Sequence, residues 1–180
     1  MLKIDHIYRW YPIYTNPRAE KRTAEELEKR GIEVYLPLQK TLKQWSDRKK
    51  WVEEPLFKSY LFVYISHREY DLVLQTFGVV RFIYFSGKVA YVPQRQMDML
   101  QNYLNGNADS EIIPTQIEKG QLVKIVSGKL KGYEAEMVSW QQQQRLILRL
   151  DALGQSLLLN IHVKDVEPVK GAFLGKVSSS

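Results

Sequence analysis

The stretch Asn105-Gly106-Asn107-Ala108-Asp109-Ser110-Glu111 constrains the fold more than any other part of the chain. It consists of turn formers and acids, with no large apolar side chain to bury. Such a segment cannot offset the entropy of its own ordering, so it reads as the core of a linker. Extended through Pro114, the linker is predicted over 106–117. A 180-residue chain interrupted there builds two small cores, over 1–105 and 118–170. Residues 171–180, ending Val177-Ser178-Ser179-Ser180, are predicted to be a flexible tail.

The two pieces differ in pattern. In the first, Arg9–Thr15 is rich in β-formers, with Pro12 suggesting an edge or a bulge. Asn16-Pro17 is predicted to open a helix whose Ala19, Thr23, Leu27 and Arg30 share a face, and Gly31 to stop it. Ile32–Leu36 reads as a strand. Tyr60–Ile65 is a near-continuous apolar strand of the kind covered on both faces. Tyr70, Val73, Leu74 and Phe77 form a second helical stripe ending at Gly78. Val80–Phe85 and Lys88–Val92 flank Ser86-Gly87 as a hairpin, and Pro93 starts a third helix through Met97, Leu100 and Leu104. The second piece reads as all-β, with short strands over Gln121–Ser127, Tyr133–Ser139, Arg145–Asp151 and Gln155–Val163. A small barrel is predicted, because closure removes exposed edges.

Reactive constellations are missing from the sequence. With no cysteine there is no thiol nucleophile, disulfide or Cys-ligated metal. His6, His67 and His162 are scattered, without the i, i+4 spacing of a metal pair. Ser127-Gly128-Lys129 resembles a phosphate loop, but Val123 and Leu130 stand where that motif needs Gly and Ser/Thr. Glu25, Glu26 and Glu28 lie beside Lys29 and Arg30 on a charged helix and read as a solvated face. No catalysis and no cofactor are expected. No apolar run approaches the roughly 18 residues of a membrane span, and Met1–His6 lacks a secretory core; a cytoplasmic protein without membrane contact is expected.

Three features carry positive information. Aromatic residues crowd the predicted strands: Trp10, Tyr11 and Tyr14, then Phe57, Tyr60 and Phe62, then Phe82, Tyr84 and Phe85. Alternation puts Trp10 and Tyr14 on one line and Tyr11 and Ile13 on another, and likewise separates Tyr60 and Phe62 from Leu61 and Val63. Core packing and an open binding face are both compatible with this pattern. The second feature is Lys40–Trp51, where Lys40, Lys43, Arg48, Lys49 and Lys50 meet one acid, Asp47, interleaved with Trp45 and Trp51. It reads either as a solvated hairpin or as an arm along a phosphate backbone. The third is Gly120–Ala135, a strand, a loop with glycines at 128 and 132, and a second strand. The net charge of +6 divides unevenly: residues 1–105 hold 17 basic and 12 acidic side chains, and residues 118–170 hold 8 and 6.

These residues resemble a known family. The strand–loop–strand with Gly128, Gly132 and Glu134 looks like a KOW motif. The first piece resembles the NGN domain of NusG-type transcription elongation factors through Trp10-Tyr11, the helix 18–30, Tyr35-Leu36-Pro37, Glu54–Val63, Gly78–Ile83 and Val92-Pro93. The resemblance runs over about residues 9–169, and Glu54–Val63 looks closest to the specialised RfaH-like and UpxY-like antiterminators. It implies an α+β chain: an NGN α/β sandwich, with an antiparallel sheet and flanking helices, linked to a KOW β-barrel.

The resemblance also implies a monomeric bacterial antitermination factor, working within the nucleoid, without enzymatic activity. Its aromatic hollow would hold the clamp helices of RNA polymerase's largest subunit through Trp10, Tyr14, Phe57, Tyr60, Phe62, Ile83, Phe85 and Met97. Lys21, Arg22, Lys29 and Arg30 match a patch that touches the non-template DNA strand, and Lys43, Arg48, Lys49 and Lys50 join them as DNA-contact candidates. The barrel would bind a small-subunit ribosomal protein or Rho, with Ile147, Leu148 and Leu158 as candidates. A general NusG factor, or a ribosome-associated RNA-binding protein, is the alternative. One departure is local: the family's Pro-Gly or Pro-Asn pair before the aromatic strand is Lys58-Ser59 here.

Overall fold

The computed structural model describes residues 4, 6–85, 87–105, 110–114, 120–140, 143–161 and 163–169. The predicted tail and His162 lie outside them, as do residues 106–109 and 115–119 of the predicted linker. The chain forms two compact units, Met1–Asp98 and Met99–Ser180.

The first unit begins with β1 (Arg9–Thr15), α1 (Glu20–Lys29), β2 (Glu33–Tyr35), β3 (Leu38–Gln44), β4 (Lys49–Pro55) and β5 (Tyr60–Ile65). It continues with α2 (Tyr70–Leu74), β6 (Val79–Phe82), β7 (Tyr84–Phe85) and β8 (Lys88–Val89). The next helix is α3 (Gln94–Leu104).

Four strands form one antiparallel sheet in the order β2-β5-β1-β6. Alternation along β1 and β5 sends Tyr11, Ile13, Leu61, Val63 and Ile65 to one face, where they bury with Ala24 and Leu27 of α1 and Tyr70 and Val73 of α2. Phe82 joins this core and stacks on Tyr70 at 4.5 Å between centroids. Burial and a hydrogen bond to Tyr84 push the Tyr70 phenol well above its ordinary range. Among the described residues β3 and β4 pair only with each other, as a two-stranded ribbon, and β7 pairs with β8.

Three local expectations change. α1 starts at Glu20, not at Pro17, because Arg18 holds a left-handed φ of 64° that no α-helix accepts. α2 stops at Leu74, which leaves Phe77 outside it on the surface. The strand expected over Val80–Phe85 breaks at Ile83, so β6 stays in the main sheet and β7 turns into the small hairpin with β8.

Gly78 follows α2 with φ +87°, and a Cβ there would run into the Thr23 hydroxyl on α1. The residue therefore meets two demands at once: a left-handed turn and a close approach of helix and strand.

The second unit holds β9 (Ser110–Pro114), β10 (Gln121–Ile125), β11 (Glu134–Trp140), β12 (Gln143–Leu150), β13 (Gln155–Leu159) and β14 (Val166–Pro168). They pair as one antiparallel sheet in the order β14-β10-β11-β12-β13-β9. The barrel expected here is not closed among the described residues: β14 and β9 are the two ends of an open sheet. The reason lies in the predicted linker, since Ser110–Pro114 is a strand that occupies the free edge of β13. Gly128 and Gly132 take φ of +74° and +91°, as the turn between β10 and β11 requires.

Both faces of β12 and β13 are buried. Leu146, Leu148, Leu157 and Leu159 share one face, and Ile147 and Leu158 cluster with Ile113 and Val138 on the other. The proposed contact residues Ile147, Leu148 and Leu158 are thus core side chains rather than surface ones. The Arg149 guanidinium forks onto both oxygens of Glu136 at 2.8 Å, and the Glu136 carboxylate also accepts the Gly120 N–H at 2.6 Å.

Candidate functional site

Opposite the helix-covered core, the sheet's second face is built of rings. Alternation places Trp10, Pro12 and Tyr14 of β1 beside Tyr60, Phe62 and Tyr64 of β5, with Trp10 paired to Tyr64, Pro12 to Phe62 and Tyr14 to Tyr60. The rings touch in sequence: Trp10 and Tyr64 at 5.2 Å, Tyr14 and Tyr60 at 5.3 Å, and Phe57 edge-on to Phe62 at 6.1 Å. Tyr35 enters from β2, which pairs it with Phe62. Burial pushes the Tyr35 phenol up to about 12. Tyr8 extends the row against Tyr64, and its hydroxyl donates to Glu69 at 2.6 Å. That bond raises the Tyr8 phenol. Burial alone would raise Glu69, but the bonds from Tyr8 and Ser66 outweigh it and hold the carboxyl low.

Six of the eight expected contact residues therefore converge. Trp10, Tyr14, Tyr60 and Phe62 share the face, Phe57 folds onto Phe62, and Ile83 reaches the edge of β1 through its N–H to the Pro12 carbonyl at 3.3 Å. Phe85 stands apart on the β7–β8 hairpin and is 68% exposed, and Met97 is fully buried in α3. The face is not the fully open platform that alternation allowed. Trp10, Phe57 and Phe62 are buried, while Tyr14, Tyr60 and Tyr64 are half-buried. Within the set, the half-buried phenols, Ile83 and the exposed Phe85 offer surface. Tyr64 was legible from the same alternation that marked Tyr60 and Phe62. Tyr35 was not, since only the pairing of β2 with β5 brings it there.

The positive charges are committed unequally. Lys21 donates to the Glu53 carbonyl at 2.8 Å, tying α1 to the base of the ribbon. Arg22 lies over Phe77, 4.5 Å from its centroid. Lys29 pairs with Glu26, which lowers the carboxyl and raises the amine, and Lys43 pairs with Glu54. Arg30, Arg48, Lys49 and Lys50 are exposed and make no ion pair with a described residue. On the ring face, Arg81 stands opposite Tyr14 with its guanidinium 5.6 Å from the ring. Among the described residues no group of three or more His, Asp or Glu could hold a metal ion, and no helix is long and apolar enough to cross a membrane.

The family described as transcription termination factor nusG matches residues 8–101, just over half of the chain. Among solved structures, the chain is similar to Thermotoga maritima NusG, solved for its domain interaction, at 20% identity. That match covers 91% of this chain and 98% of the other, with a TM-score of 0.51, and is a likeness of fold. The MjSpt4:Spt5 complex in conformation A is similar at 18% identity over 89% of this chain and 97% of that one, with a TM-score of 0.28.

Proposed function

The chain belongs to the NusG family of transcription factors, and on that premise we propose an elongation and antitermination factor that grips RNA polymerase through the ring face of β1 and β5. The observation that carries this reading is the half-buried Tyr14–Tyr60 pair, with the buried Phe57–Phe62 pair beside it on the same face. Rings already packed against one another lose little side-chain freedom when a partner lands on them. The clamp helices of the polymerase's largest subunit suit such a face as apolar helices docking on a hydrophobic surface. Phe85, on the β7–β8 hairpin, is the exposed ring of the proposed set.

The effect on transcription is a population shift. A factor that binds the closed, elongating polymerase tighter than the opened, paused one favours elongation by the ratio of the two affinities. A tenfold ratio corresponds to about 1.4 kcal/mol. No chemistry of the factor's own is needed, in keeping with a non-enzymatic family. Lys21, Arg22 and Lys29 of α1, with the exposed Arg30 after it, are the proposed contacts to the non-template DNA strand. The second unit is the proposed seat of a small-subunit ribosomal protein or Rho. The Glu54–Val63 stretch favours action at particular operons.

The test uses side chains whose loss leaves the core intact. Tyr60→Ala and Phe85→Ala should each lower recovery of polymerase in co-purification by about tenfold or more, with little change in melting. Undiminished recovery from the double variant would remove the clamp-helix reading.

A further inference from the structure

The second unit is assembled from two pieces of chain. Residues 99–114, which end in β9, form one, and residues 121–168, which hold β10 to β14, form the other. Along the order β10-β11-β12-β13-β9 every neighbouring pair is antiparallel. Four reversals leave β9 running parallel to β10, four places away from it in the sheet. Parallel strands of one sheet ordinarily need a connection of about a dozen residues or more. Between Pro114 and Gln121 this chain supplies six, residues 115–120.

The edge that β9 covers is a poor one to leave bare. β13 reads Gln155-Ser156-Leu157-Leu158-Leu159, and all but Gln155 are buried. An apolar strand with a free edge invites another strand. β9 meets it from Gln155 with Pro114 to Leu159 with Ser110, and Ile113 completes a cluster with Val138, Ile147 and Leu158. Polar contacts join the same two pieces. The Asn160 N–H donates to the Tyr103 hydroxyl at 2.8 Å, and the Asn102 amide to the Tyr133 hydroxyl at 3.2 Å. The Lys129 ammonium donates to the Asn105 carbonyl at 2.9 Å. Every one of these contacts could form equally well between two chains.

We propose that the edge of β13 is an interface between two copies of this chain, which exchange residues 99–114 so that each copy's β9 pairs with the other's β13. Fit selects the partner: Ser110–Pro114 matches this edge in register, and a second copy carries the same segment. Reciprocal exchange closes by two-fold symmetry, so neither copy is left with a bare strand. It repeats every contact between the two pieces, and β9 no longer has to return to β10 of its own sheet within six residues. The pair departs from the monomer that the family resemblance implies. The inference rests on the second unit alone and not on the polymerase reading.

The experiment measures the mass of the full chain by light scattering from about 1 μM to about 1 mM. A species of twice the chain mass should appear and grow with concentration. The sequence has no cysteine, so single thiols can be placed without competition. Ile113 and Ser156 face each other in the ladder. Chains carrying only Ile113→Cys, mixed at high concentration with chains carrying only Ser156→Cys and then oxidised, should give a disulfide between positions 113 and 156. In that mixture the bond can form only between chains. Pro114→Cys with Gln155→Cys, the next pair of the ladder, repeats the measurement if Ile113→Cys does not fold. Inserting about six Gly/Ser residues after Ile117 brings the connection to about a dozen and should shift the population back to monomer. A chain that stays monomeric over the whole range overturns the proposal. So does a dimer that yields neither cross-link, or one that the longer connection leaves undiminished.

Discussion

Ser59 holds a φ of 63° in the turn that leads into β5, a conformation L-residues other than glycine rarely adopt. Two bonds hold it there. Its N–H donates to the buried Glu20 carboxylate at 2.7 Å, and its carbonyl accepts the Thr15 N–H at 2.9 Å. The Lys58-Ser59 departure from the family pattern is thus compensated by an acid on α1. Glu20→Ala should destabilise the chain by about 1–3 kcal/mol in chemical denaturation, because a buried N–H loses its acceptor. Ser59→Gly should be neutral or stabilising by up to about 1 kcal/mol. Gly78→Ala should cost about 2–4 kcal/mol, combining a left-handed φ with overlap on Thr23. Tyr35 gives a pH test. Its folded phenol, near 12, holds the proton more tightly than the unfolded one near 10. The stability this contributes is whole below pH 10 and declines as the pH climbs toward 12. Tyr35→Phe should flatten that decline in denaturant melts across this range.

At the scale of elements, legibility followed burial. Tyr60–Ile65 was readable to its ends because every residue but the two tyrosines is fully buried, and an unbroken apolar run between polar residues marks where the strand begins and stops. The ring face was readable in part, since alternation sorts side chains but does not say how far neighbouring rings cover each other. α1 was misplaced at its start because the Arg18 conformation is set by the turn and not by propensity. β9 was hidden for a different reason. Ser110–Pro114 has only Ile112 and Ile113 to bury, and its pairing comes from the open edge of β13 rather than from its own sequence. Deleting Ser110–Pro114 should therefore speed amide exchange in Gln155–Leu159, while Glu134–Trp140, paired on both sides, stays slow. The two aromatic sites should also separate energetically. Phe62→Ala empties a fully buried position and should cost about 3–5 kcal/mol, whereas Trp51→Ala should stay within about 0.5 kcal/mol.

For the whole molecule, the division of labour falls between units. The first carries the family match, the ring face and most of the excess positive charge, and the second is an open β-sheet with a leucine-rich core. The +6 charge is not spread evenly: three exposed cations, Arg48, Lys49 and Lys50, follow one another on the β3–β4 ribbon, while the ring face relies on tyrosines with one arginine beside them. In the proposed reading polymerase is held mainly by apolar contact and nucleic acid by charge, so salt should weaken the second interaction far more than the first. Mapping chromosomal occupancy will separate operon-specific from general action, with a few transcription units expected from the Glu54–Val63 resemblance. The most direct measurement of the central claim is single-round transcription by purified polymerase across a strong pause. The wild-type chain should shorten the pause, and Tyr60→Ala/Phe85→Ala should lose that effect while remaining folded. If the folded double variant shortened the pause as well as the wild type, the ring face would not be the grip.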